Sequence, residues 1–96
     1  MKNSVAVDPE IKASNLRRLR RIEGQVRGLQ KMVEEERYCA DIIAQVASVQ
    51  EALRGVAREL MRNHLKSCAA AAIAKGDTQA DAMYDELLDV VYKHLR

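Results

Sequence analysis

The most constraining feature of the chain is an apolar stripe, Ile42, Val46, Val49, Leu53, Val56 and Leu60, spaced 4, 3, 4, 3 and 4. Residues three and four apart share one face of an α-helix, and a repeat of this kind over several heptads is the seam of a coiled coil. The pattern predicts one long helix from about Cys39 to about Lys75, ending at Gly76. Gly55 lies within it, off the stripe, at some cost in helix propensity. Ala69 to Ala72 continue the helix as strong helix formers.

A second stripe precedes it. Leu19, Ile22, Val26, Leu29 and Val33 are spaced 3, 4, 3 and 4. Asp8 suits the N-cap of this helix, Pro9 its first position, and Glu10 its positive dipole end. The pattern fades near Glu36, where neither Pro nor Gly marks a break. Beyond Gly76, Asp77 or Thr78 is placed to cap a short third helix carrying Ala80, Met83, Leu87, Leu88 and Val91. No alternating pattern suggests a strand, and no internal repeat or low-complexity linker occurs. The expected fold is therefore all-α, with three helices per chain. An arm over residues 1–8 is expected to be disordered, ahead of a single helical domain over 9–96.

With 96 residues, no Phe, no Trp and three Tyr, the chain has little large aromatic surface to bury. Chains of this size commonly gain stability by associating, so a multimer is expected. Met1 to Pro9 lacks the apolar stretch of a secretory leader, and no segment approaches a membrane span, which points to the cytosol. Two cysteines in that reducing compartment suit metal ligation or redox chemistry, or serve as small buried residues, better than a structural disulfide.

Net charge is +2 but unevenly spread. Residues 10–31 carry Lys12, Arg17, Arg18, Arg20, Arg21, Arg27 and Lys31 against Glu10 and Glu23. After Gly76, Asp77, Asp81, Asp85, Glu86 and Asp89 face Lys93 and Arg96. A basic segment on a near-neutral chain suggests a polyanion partner, although basic residues on a solvated helix face have the same appearance.

His64 and Cys68 stand one helical turn apart and can hold one metal ion together. A Cys and a His at this spacing also occur as ordinary core and surface residues. The remaining cysteine, Cys39, lies roughly 37 Å from His64 along a continuous helix at 1.5 Å per residue. An antiparallel partner helix removes the difficulty. Cys39 of one chain meets His64 and Cys68 of another if the helices cross near residue 52 or 53, and the stripe from 42 to 60 has its middle at 51. A two-fold interface of this kind makes two identical shared sites. Two thiolates and one imidazole form a soft ligand set suited to Cu(I) or Zn(II). Zinc ordinarily takes a fourth ligand, for which only the distant His94 offers imidazole, so three ligands favour Cu(I). There is no catalytic triad, carboxylate pair or phosphate loop, and the chain is not expected to be an enzyme. Nor is there a helix-turn-helix, zinc-finger or RNA-binding aromatic motif.

The stretch Arg18-Leu19-Arg20-Arg21-Ile22-Glu23-Gly24-Gln25-Val26-Arg27-Gly28-Leu29, the element Arg37-Tyr38-Cys39 and the segment Asn63-His64-Leu65-Lys66-Ser67-Cys68 together resemble the CsoR-type repressors. These are the copper-sensitive operon repressors and their nickel/cobalt-, formaldehyde- and persulfide-sensing relatives. The resemblance covers about residues 10 to 93. It implies an antiparallel four-helix-bundle dimer assembling into a dimer of dimers. It further implies a metal-free form bound to a GC-rich, inverted-repeat operator in double-stranded DNA, and an effector that lowers DNA affinity.

Cys39, His64 and Cys68 match the ligand positions of the copper branch one by one, with Cu(I) the implied effector. The nickel/cobalt branch carries His where Cys68 stands, the formaldehyde branch lacks this final Cys, and the persulfide branch keeps both Cys but lacks the His. Tyr38 and Glu86 match groups that support the ligands in copper sensors. Arg18 and Arg21, with Arg17 and Lys12, are the implied DNA contacts. Several relatives carry a basic residue near the middle of the second helix. Gly55 stands close to that place, flanked by Arg54 and Arg58, and Arg54 joins the DNA-contact set. A persulfide-sensing repressor using Cys39 and Cys68, and a cytosolic metal buffer that binds no DNA, are the alternatives. Neither a membrane nor a small organic substrate is expected as a partner.

Overall fold

A computed structural model describes residues 7–94, which are almost entirely helical and contain no strand. Residues 1–6 of the expected N-terminal arm lie outside the described residues. Helix α1 is Pro9–Glu34, α2 is Cys39–Asn63, a π-helical turn occupies His64–Ala69, α3 is Ala70–Ala74, and α4 is Asp77–His94. By their contacts these elements fall into two compact units, residues 7–61 and residues 62–94.

In the first unit, α1 begins as its sequence dictates. The Asp8 carboxylate accepts from the Glu10 backbone N–H at 2.8 Å, and Pro9 occupies a position where no N–H is needed. The helix ends without glycine. Glu36 adopts φ +54°, the left-handed region that few residues other than glycine enter. Its N–H donates to the Val33 carbonyl at 3.1 Å, and the Arg37 N–H donates to that of Met32 at 3.0 Å. This pair of bonds is a Schellman closure, which satisfies the last carbonyls of α1. The chain then enters α2 directly, with the Tyr38 carbonyl accepting from Asp41 and Ile42.

The core of this unit is small. Ile22 of α1 packs with Val49 and Val56 of α2, joined by the partly buried Leu29 and Ala52. The α2 stripe is thereby split. Val49 and Val56 are buried, while Val46, Leu53 and Leu60 remain 39%, 45% and 42% exposed. On α1, Leu16, Leu19, Val26 and Val33 are exposed as well. No described side chain is completely buried. The described residues of this unit therefore leave much of their apolar helix faces uncovered.

In the second unit, α3 packs against α4. The buried Ala69, the small side chains of α3 and the buried Ala80 allow this close approach. Gly76 turns the chain between them at φ +122°, where any side chain would be strained. Ala80 N–H donates to the Gly76 carbonyl at 2.8 Å, so α4 begins at Asp77 and this acid sits in its first turn. The third long helix is thus 18 residues, longer than its sequence pattern suggested.

Candidate metal and nucleic-acid sites

The long second helix does not continue as regular α-helix to Gly76. Between Asn63 and Ala70, both in right-handed helical conformation, the backbone widens into a single π turn. Such turns are rare and recur at functional sites. This one carries both His64 and Cys68. The strong helix formers around it gave no sequence signal for it.

His64 is turned toward α4. Its Nε2 lies 2.9 Å from Oε2 of Glu86, in close contact but without the alignment of a directed hydrogen bond. The imidazole is mostly buried and the carboxylate about half exposed. Nδ1 is the nitrogen left for another partner. Cys68, a free thiol, is half-buried and opens with Glu86 onto a depression of about 290 Å³. Lys75 and Met83 also line it. Met83 was legible only as an apolar position of α4, because its place beside Cys68 depends on how α3 and α4 pack. Glu86 thus contacts His64 and shares the lining of this depression with Cys68.

Cys39 is the first residue of α2, an exposed free thiol, and Tyr38 before it is 75% exposed. Among the described residues of one chain, no group of three His, Cys, Asp or Glu side chains is gathered for a metal ion.

The basic residues divide by their partners. Arg27 pairs with Glu23, Arg37 with Glu35, and Arg54 with Glu51, the last at 2.9 Å. All are exposed, and pairs of this kind contribute little. Lys12, Arg17, Arg18, Arg20 and Arg21 of α1 form no ion pair among the described residues. Arg17, Arg20 and Arg21 are exposed, whereas Arg18 is half-buried. The α1 cluster is therefore an unneutralised positive surface. Arg54, expected with it as a DNA contact, is already engaged by a carboxylate.

The family model for metal-sensitive transcriptional repressors matches residues 11–93. The copper-sensing transcriptional repressor CsoR of Bacillus subtilis is 51% identical over 76 residues, which cover 79% of this chain and 73% of that protein. The copper-sensing transcriptional repressor RicR of Mycobacterium tuberculosis is 42% identical over 80 residues, 83% of each. The crystal structure of the copper-sensing repressor CsoR with Cu(I) from Geobacillus thermodenitrificans aligns with a TM-score of 0.86 at 40% identity, over 97% of this chain and 95% of that one.

Proposed function

Since the chain belongs to the metal-sensitive transcriptional repressor family, a family of DNA-binding regulators rather than enzymes, we propose that it represses transcription in the cytosol until Cu(I) binds. In this reading the metal-free protein holds operator DNA, and Cu(I) binding at Cys39 of one protomer with His64 and Cys68 of its partner releases it.

The observation that carries this reading is the His64–Glu86 contact on the turn that also bears Cys68. A carboxylate beside one imidazole nitrogen is placed to orient the ring and leaves the other nitrogen for a ligand, an arrangement common around metal-ligating histidines. Cys68 adds a soft donor on the same turn. The third donor is Cys39, supplied across a two-fold axis. The half-exposed stripe of Val46, Leu53 and Leu60 gives such a partner an apolar face to cover. A second pairing of dimers completes the proposed tetramer. When bound, Cu(I) supplies a soft, low-coordinate centre that ties two thiolates and one imidazole together. Glu86 passes any reorientation of His64 to α4, and Tyr38 adjoins Cys39 on the other side of the shared site.

DNA binding falls to the unneutralised side chains Arg18 and Arg21, with Arg17 and Lys12. Arg54 contributes once it exchanges Glu51 for phosphate. Phosphate neutralisation makes such binding steeply salt-dependent. If Cu(I) and DNA prefer different states of the oligomer, each weakens the other by the same coupling free energy.

A release titration tests the reading. A labelled duplex recovered by the metal-free protein from a random pool is challenged in parallel with Cu(I), Zn(II), Ni(II), formaldehyde and polysulfide. Release by Cu(I) at the lowest dose is expected. Release by polysulfide and not Cu(I) would overturn the copper assignment, and absence of any specific complex would favour a metal buffer.

A further inference from the structure

Gly55 occupies the interior of α2, where glycine weakens a helix relative to alanine. Its backbone does not need glycine: among the described residues the positive-φ glycine is Gly76. What lies over the position is the far end of the Arg18 side chain, which an added Cβ would push aside. A Cβ at residue 55 would stand 2.9 Å from Nη1 of Arg18, inside van der Waals contact. The guanidinium of Arg18 therefore lies directly over the bare backbone of α2. It is half-buried there while Arg17, Arg20 and Arg21 on either side are exposed. It has no carboxylate partner among the described residues, unlike Arg27, Arg37 and Arg54.

We propose that Gly55 is a positioning residue for DNA binding: its missing side chain forms a seat on α2 that holds the Arg18 guanidinium in place for a DNA phosphate or base edge. The inference rests on the reading of Arg18 as a DNA contact. A free arginine surrenders rotamer freedom when it binds. One already confined by packing surrenders less, and its planar fork arrives oriented. The seat also keeps a carboxylate-free charge at a fixed height on the α1–α2 hairpin, within the basic cluster. A basic residue at position 55 would add charge but occupy the seat. The sequence thus exchanges one side chain on α2 for a fixed one on α1.

The test is a double-mutant cycle on the full-length, metal-free protein with Gly55→Ala, Arg18→Ala and the double variant. Affinity is read by fluorescence anisotropy on a labelled duplex recovered by the wild-type protein from a random pool, across a salt series. Gly55→Ala strengthens α2, so its melting temperature is expected to be equal or higher. Its DNA affinity is expected to fall about tenfold, within the roughly 2- to 12-fold range for ordering a long side chain again on binding. In the Arg18→Ala background the same substitution is expected to change nothing, because the seat has no occupant. An unchanged affinity for Gly55→Ala, or an equal loss in both backgrounds, overturns the seat while leaving Arg18 as a DNA contact. An unchanged affinity for Arg18→Ala overturns the DNA reading of Arg18 and the seat with it.

Discussion

Asn15 offers a quantitative test of the packing in the α1–α2 unit. It is 5% exposed, and among the described residues neither its amide nitrogen nor its amide oxygen has a hydrogen-bond partner. Each buried, unpaired polar group costs roughly 1–3 kcal/mol of desolvation. Asn15→Leu removes both groups and adds apolar burial of about 1.5–3 kcal/mol. Against this stands the strain of a slightly larger side chain in a formed site, roughly 1–3 kcal/mol. With the favourable contributions at the low ends of these ranges and the strain at its middle, the expected net is a stabilisation of about 1.5 kcal/mol, which for a domain of this size raises the melting temperature by roughly 10 °C. Urea and thermal unfolding followed by circular dichroism measure it, at matched protomer concentration because association contributes to stability. Asn15→Asp serves as the opposite perturbation. It places a carboxylate in the same site and is expected to lower stability by more than the leucine raises it. A destabilised Asn15→Leu with unchanged helicity would refute the reasoning, since it would mean that the amide is satisfied in the assembled protein.

Other outcomes follow from the turns and the ligands. Glu36→Gly relieves a left-handed backbone costing about 1–2 kcal/mol and adds unfolded-state entropy worth about half of that, so a net gain of about 0.5–1 kcal/mol is expected in the same unfolding assay. Mixing Cys39→Ala chains with Cys68→Ala chains is expected to restore one intact Cu(I) site per dimer, counted by competition with a Cu(I) chelator; no restored site would refute the shared arrangement. Glu86→Ala is expected to weaken Cu(I) binding by roughly 10- to 100-fold in that competition, with Glu86→Gln retaining more, and an unchanged affinity would remove Glu86 from the site.

How far the sequence disclosed these features depended on whether local chemistry determined them. The start of α1 was legible because Asp8, Pro9 and Glu10 act within a few residues of one another. The end of the long helical stretch was legible because Gly76 marks a left-handed backbone. The break after α1 was legible only as a fading pattern, since a glutamate takes the conformation usually left to glycine. The π turn was hidden because Asn63 to Ala70 reads as unbroken helix. His64 and Cys68 stand out as a candidate ligand pair from their spacing, whereas Glu86 is identified by resemblance alone. Its contact with His64 depends on the return of α4, which no spacing in the sequence encodes. The stripe of α2 was legible as a stripe but not as divided. Only the register of α1 against α2 decides that Val49 and Val56 go inward while Leu53 and Leu60 stay outside. The same register sets Arg18 over Gly55.

The closure after α1 has a consequence for how such proteins can be altered. Its bonds run from Glu35 to Lys31, from Glu36 to Val33, from Arg37 to Met32, and from Asp41 and Ile42 to Tyr38, all between backbone atoms of residues 31–42. Nothing in it depends on the identity of a distant side chain. The segment should therefore be portable: transplanted between two helices of another hairpin, it would carry its bend with it and deliver a cysteine at the head of the second helix. A designer could move the thiol-bearing corner into a new scaffold, or exchange it among relatives, without rebuilding either helix.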